Sequence, residues 1–254
     1  MKEKNKTLYK IGKIFLIVLL LIFLFIANSF FGNPISKILV DRTADKYIEN
    51  NYKDLKLIRD KTIYNFKSGT YDIHLRDENS IDSNFVLSFN KLGGLIYDTY
   101  GDRIFNTYSR FMEGLYQYGR KIEEENKFPY KITLEPIDKD SYKNILTIDE
   151  KIDFNNFPYQ VKANAYGFCE NPSFEEALKI LKELQKIMDS SPLETEEFSI
   201  ILVPEKDRKE NWEAVSWVNA LSIFDIKAET IRKGDLKELK HLKEVQSQEK
   251  KDGE

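Results

Sequence analysis

The chain has 254 residues, enough for one or two folded domains with appendages. Hydrophobic residues at 41%, with 13% aromatic, exclude wholesale disorder, and 11 Gly with 7 Pro exclude a fibrous or low-complexity chain. One Cys and two His exclude a disulfide framework and a Cys/His-ligated metal centre, and a net charge of −3 leaves no basic excess for nucleic-acid binding.

The first strong signal is the unbroken apolar run Ile14–Ala27, which resumes after Asn28 and Ser29 with Phe30 and Phe31. As a helix, this stretch rises about 27 Å, close to the hydrocarbon thickness of a bilayer. Lys2, Lys4, Lys6, Lys10 and Lys13 precede it, offset only by Glu3, whereas Lys37, Arg42 and Lys46 after it are diluted by Asp41 and Asp45. The asymmetry places the N-terminus in the cytoplasm and the remainder outside it, as a single-pass protein of the cell membrane. Ala27-Asn28-Ser29 has the small-x-small form of a signal-peptidase site, but the apolar stretch runs on past it, which favours a retained anchor over a cleaved signal. The only cysteine, Cys169, lies too far downstream for a lipoprotein. The first thirteen residues hold five lysines and one glutamate, so residues 14–254 carry −7 against −3 for the whole chain. That acidic balance is expected to keep the exported part away from anionic headgroups.

Gly32-Asn33-Pro34 breaks the membrane helix, and a second helix is predicted over 35–51 with a stripe of Ile35, Ile38, Leu39, Ala44, Tyr47 and Ile48. Four strand-like segments follow: Leu57–Phe66, Thr70–Arg76, Phe85–Phe89 and Leu95–Tyr100. Lys67-Ser68-Gly69 forms a hairpin turn between the first two. Tyr71, Ile73 and Leu75 share one face of their strand, and Asp72, His74 and Arg76 the other. A long helix over 102–125 carries the stripe Ile104, Tyr108, Phe111, Leu115, Tyr118 and Ile122, suited to packing on the sheet. One helix over a curled antiparallel meander resembles the cystatin-like arrangement.

A second unit is expected from Lys127, with strands at Tyr130–Leu134, Leu146–Phe154, Tyr159–Cys169, Phe198–Val203 and Ala220–Ile226. A helix from about residue 174 is capped by Asn171 or Ser173 and stopped by Pro192. The fold class is therefore α+β: an N-terminal transmembrane helix (1–34), a cystatin-like helix-plus-antiparallel-sheet domain (35–126), and a second small α+β domain with an antiparallel sheet (127–231). A charged tail (232–254) is expected as a fraying surface helix with a disordered end.

Four stretches carry a resemblance to a family. They are Gly32-Asn33-Pro34-Ile35-Ser36-Lys37, Ala44-Asp45-Lys46-Tyr47-Ile48, Tyr64-Asn65-Phe66-Lys67-Ser68-Gly69-Thr70-Tyr71 and Ile96-Tyr97-Asp98-Thr99-Tyr100. Together they resemble the YfjL-like family of membrane-anchored bacterial proteins, over most of residues 1–230 and most strongly before residue 126. The resemblance implies two domains after a membrane segment and carries over no site residue. Asp82-Ser83-Asn84-Phe85 stands where the family pattern has Asp-Thr-His-Phe.

His74 shares a face with Asp72 and Arg76, where a carboxylate could orient its ring; without G-x-S-x-G, the plainer reading is a solvated polar face. Cys169 reads as a small buried residue at a strand end, and His241 as solvated tail. Asp98, Asp102 and Glu113 could approach a Ca²⁺, but their spacing is not that of a Ca²⁺ loop and Asp102 suits a helix cap. Tyr97, Tyr100, Tyr108, Tyr116 and Tyr118 supply contact area with polar tips, suited either to binding a peptide or glycan or to a Tyr-rich core. Tyr97, Tyr100 and Asp98 are the binding residues this suggests. No catalytic residue, metal site or cofactor is expected. The sequence supports a non-catalytic binding or regulatory module of the cell envelope, with an envelope protein, peptide or glycan as partner and no nucleic acid. The alternative is a carboxylate-dependent hydrolase of an envelope substrate.

Overall fold

The computed structural model describes residues 2–252, with side chains from 12 to 248; the side chains of Lys2, Lys4, Lys6 and Lys10, and the chain end at 253–254, lie outside the described residues. It divides into two compact units, residues 1–106 and 107–254.

The first unit begins with helix α1 (Lys2–Phe31), of which the described part is apolar on every face and unburied, long enough to cross a membrane. The helix passes through Ala27-Asn28-Ser29 without a break and stops at Gly32, whose φ of +74° suits only glycine. A Cβ there would lie 2.7 Å from the Tyr64 ring. Asn33 caps helix α2 (Pro34–Asn51), its side chain accepting from the Ile35 amide at 2.8 Å. The Asn33 amide donates to the Tyr71 hydroxyl at 2.7 Å, and that hydroxyl donates to the Asn33 carbonyl at 3.2 Å. Apolar helix, second helix and sheet thus meet at one residue.

The sheet comprises β1 (Leu57–Arg59), β2 (Ile63–Asn65), β3 (Thr70–Asp77), β4 (Asn84–Phe89) and β5 (Leu95–Asp98), all antiparallel, in the order β1-β3-β4-β5 with β2 also on β3. Tyr71, Ile73 and Leu75 face Phe85, Leu87 and Phe89 across β3 and β4, and all six are buried with Val40 and Ala44 of α2. The expected strand face holds, but the expected single strand 57–66 is two. Between the halves the Thr62 hydroxyl and the Arg59 guanidinium both reach the Asp41 carboxylate on α2, bending the chain toward the helix. Although burial raises the pKa of Asp41, these two donors hold it below the usual carboxylate range. The predicted stripe of α2 is also corrected: Ile35, Ile38 and Leu39 of its first turns stay exposed, and the buried line runs through Val40 and Ala44.

The long helix α3 (Ile104–Glu125) follows a 3₁₀ turn at Tyr100–Asp102. Its first turn is tied to the first unit by Asn106, whose side-chain amide donates to the carbonyls of Asp82 and Asn84. Beyond that point Leu115 and Ile122 join the second core. The division therefore falls near 106, ahead of the boundary at 126 expected from sequence, because the apolar stripe of α3 matches a different sheet. Gly119 permits this packing, since a Cβ there would sit 3.0 Å from the Ile132 carbonyl oxygen.

The second sheet runs β6 (Lys131–Pro136), β7 (Val161–Cys169), β8 (Thr195–Pro204) and β9 (Leu221–Lys227), in the order β6-β7-β8-β9. Between β6 and β7 lie a short helix, α4 (Tyr142–Ile145), and a 3₁₀ turn at Phe154–Asn156. The strand expected at 146–154 is thus absent; its apolar residues plug gaps instead, with Phe154 stacked on Tyr118. β7 and β8 are parallel, because helix α5 (Phe174–Asp189), capped by Ser173, crosses over between them. The sheet is therefore mixed rather than antiparallel. Helices α6 (Ala228–Lys233) and α7 (Leu236–Asp252) complete the layer.

The tail is not a fraying surface element. Leu239 is fully buried, and Leu236 and Leu242 pack on the same core. The Gln246 side chain accepts from the Phe224 amide and donates to the Phe224 carbonyl, taking the place of a neighbouring strand along β9. Leu239→Asp should accordingly destabilise the protein by more than about 3 kcal/mol by burying a carboxylate, whereas His241→Ala, on the exposed side of α7, should leave stability within about 0.5 kcal/mol. Tyr159→Phe should hold or raise stability, by up to about 1 kcal/mol, since the Tyr159 hydroxyl is buried without a hydrogen-bond partner. Thermal unfolding of the three variants checks all three expectations.

Candidate functional site

Asp98 ends β5 beside the C-terminus of α2. Its carboxylate accepts from the Tyr47 hydroxyl at 2.9 Å, from the Tyr52 hydroxyl, and from the Tyr100 amide at 2.8 Å. Tyr100 packs on Tyr52 and Phe85 at ring separations of 4.7 and 5.0 Å, with the Arg103 guanidinium over its other face. Burial, and then the Asp98 carboxylate, push the Tyr52 phenol well above its ordinary value, and Tyr47 is raised the same way. Both phenols therefore remain donors, and the group latches α2 to the sheet. Of the three sequence-predicted binding residues, Asp98 and Tyr100 are engaged in this latch, and Tyr97 is exposed.

The other tyrosines of the cluster fall in the second unit. Tyr108 stacks on Tyr142 and Tyr118 on Phe154 in the second unit, while Tyr116 is exposed. Asp72 is held by the hydroxyls of Thr70 and Ser88, so it does not orient His74, which lies exposed beside a shallow pocket of about 270 Å³. Glu113, in the second unit, accepts from Gln117. Burial pushes the Cys169 thiol up, opposite to the shift that activates a nucleophile.

A concave feature among the described residues lies in the second unit and was not anticipated from sequence. A cleft of about 750 Å³ is lined by Arg120 and Glu123 of α3, Phe128 to Lys131 entering β6, Phe168 of β7, and Arg208, Asn211 and Trp212 of the segment after β8. That segment is a tight loop closed by the Arg208–Ala214 bridge and by the Lys209 amide donating to the Glu213 carbonyl. Trp212 sits at its tip with φ +62°, a strained conformation for a bulky residue. The Tyr166 hydroxyl holds it from below, donating to its carbonyl at 3.2 Å. The Arg208 guanidinium lies 4.1 Å from the centre of the Trp212 ring, and the Lys131 ammonium 5.6 Å from it. Glu123 is occupied, accepting from the Ile132 amide. The cleft therefore presents Lys131, Arg120 and Arg208 against an aromatic wall, with Arg208 paired to Glu205 at 2.9 Å and Arg120 to Glu124 at 3.9 Å, and Val215, Trp217 and Val218 stand exposed on the segment that follows the loop. Such a surface suits an anionic group joined to an apolar or planar one. The signal available in the sequence was the placing of both tryptophans, 212 and 217, in one polar stretch.

Fold and helix define an α+β protein with one N-terminal helix able to cross a membrane. Residues 4–99 match the family model for the YfjL-like, N-terminal domain. No curated protein and no solved structure matches the chain. The matched residues hold the Asp98 latch and not the cleft.

A phenol raised in the folded state adds stability below its unfolded pKa of 10 that is lost as pH rises beyond that value. The protein should thus lose stability above pH 10, and Tyr52→Phe should flatten that loss in alkaline unfolding curves. Asp98→Asn should cost roughly 1.5–3 kcal/mol at neutral pH and shift the tyrosinate absorbance of Tyr52 to lower pH.

Proposed function

We propose that the protein is a binding module tethered to the cell membrane by α1, with both units outside the cytoplasm, and that the cleft beside Trp212 takes an anionic, partly apolar segment of an envelope peptide or glycan. The lysines before α1 support the orientation. The observation that carries the binding role is the stack of Arg208 on Trp212 with Lys131 alongside. In a chain whose residues 14–254 sum to −7, cations gathered on an aromatic wall concentrate positive potential at one cleft.

A reporter fused after Glu254 should be active only when exported; activity in the cytoplasm would reverse the orientation. For the cleft, a Trp217→Phe background leaves Trp212 as the sole indole. Its emission should change saturably on titration with a short Glu- and Phe-containing peptide and not with the Lys counterpart. Arg208→Ala and Lys131→Ala should each weaken that response roughly tenfold, since a charge-assisted contact contributes about 1.5–3 kcal/mol. Equal responses to the acidic and basic peptides would refute an anion site.

A further inference from the structure

Two turns of the first sheet lie at the end where α1 leaves its apolar run. The turn between β2 and β3 is Asn65-Phe66-Lys67-Ser68-Gly69, and that between β4 and β5 is Asn90-Lys91-Leu92-Gly93-Gly94. Phe66 packs on Phe30 of the last turn of α1, at a ring separation of 5.9 Å. Lys91 lines one small pocket with Asn28 and Gly32 at the α1–α2 break and with Tyr64. The second turn also meets α2: a Cβ at Gly93 would lie 3.4 Å from the Leu39 side chain.

Both turns are built alike. The Asn65 side chain accepts from the Lys67 amide, and the Asn90 side chain from the amides of Leu92 and Gly94; a glycine at positive φ, Gly69 or Gly93, follows in each. Each tip thus holds an apolar side chain outward on a fixed backbone. Phe66 is 55% exposed and Leu92 74% exposed, and Ile35 on the neighbouring first turn of α2 is 76% exposed.

Charge at this end departs from the chain average. Residues 28–40, 65–71 and 89–97 contain Lys37, Lys67 and Lys91 and no Asp or Glu. An apolar tip flanked by lysine is the composition of a surface that enters the headgroup layer of a membrane, with apolar groups at the acyl boundary and ammonium groups at the phosphates.

We infer that Phe66 and Leu92, with Ile35, form a second membrane contact: the two turns dip into the lipid interface beside α1 and seat the first unit on the bilayer in one orientation. The occupant is the lipid surface, because this patch is continuous with the helix that crosses it and carries the charge that anionic headgroups attract. Net charge alone predicts the opposite, since it averages three local lysines into an acidic total. The inference rests on α1 being membrane-inserted, so the test reads that separately.

The full chain, with Cys169→Ser to remove its only cysteine, takes a single cysteine labelled with nitrobenzoxadiazole at Leu20, Phe66, Leu92 or Ile81. Ile81 is an exposed apolar residue on the β3–β4 turn at the opposite end of the strands. Each variant is reconstituted in vesicles of phosphatidylcholine and phosphatidylglycerol, with and without brominated acyl chains. The labels at 66 and 92 should shift to the blue and lose most of their emission to the brominated lipid, as the label at 20 does, while the label at 81 keeps its emission. Adding Lys67→Glu and Lys91→Glu should restore emission at 66 and 92 in these anionic vesicles and leave 20 unchanged. Quenching at 20 without quenching at 66 and 92 overturns the second contact and leaves the anchor standing. A blue shift at 66 and 92 that brominated lipid does not quench also overturns it, because a protein surface then covers the turns. Absence of quenching at 20 overturns the anchor itself.

Discussion

The first unit depends on the clasp between Asn33 and Tyr71. Asn33 ends one helix, caps the next with its side chain, and exchanges hydrogen bonds from its own amide and carbonyl with a phenol on the central strand. Gly32 makes this possible by turning the chain through a positive φ against Tyr64. No slack linker separates the apolar helix from the sheet, so whatever orients one orients the other. The family match over residues 4–99 spans this whole arrangement, from the start of α1 to the latch at Asp98.

The two ends of α2 are secured by different chemistry. At its start the helix is held by backbone and amide groups of Asn33; at its end Tyr47 and Tyr52 close on one carboxylate, Asp98. Between them Asp41 gathers Thr62 and Arg59 and breaks the first strand in two. A short, polar helix with few buried residues of its own is thus fixed mainly by directional contacts. This is consistent with the burial of only Val40 and Ala44 along it.

Alternation in Tyr71, Ile73, Leu75 and in Phe85, Leu87, Phe89 made the faces of the central strands legible, because a period of two leaves a single way to bury them. The stripe of α5 was legible from its helical spacing, and its cap was narrowed to Asn171 or Ser173, of which the fold uses Ser173. What the pattern could not convey was the identity of the partner surface. The stripe of α3 names an apolar face but not the sheet it meets, and Leu115 and Ile122 went to the later one. The apolar pieces at Leu146 and Phe154 have strand composition yet fill gaps without joining a ladder. The cleft was illegible because Arg120, Lys131, Arg208 and Trp212 come from three distant segments, and only the fold brings cation and ring within 4.1–5.6 Å. Asp98 illustrates the converse: a carboxylate among tyrosines looks like a binding site in sequence, and in the fold it accepts from Tyr47, Tyr52 and the Tyr100 amide.

The strand-like use of Gln246 along β9 bears on the order in which the second unit can be made. Its core includes Leu115 near the start of the unit and Leu239 close to the end, and its sheet edge is satisfied only when Gln246 arrives. A chain that emerges N-terminus first therefore carries an unfinished sheet, with a bare edge at Phe224, until Gln246 joins it. The first unit needs nothing beyond residue 106 and can close while the rest is still in transit. Folding of this protein is thereby staged by its own topology: a first unit that closes on residues before 107, and a second whose sheet edge waits for Gln246.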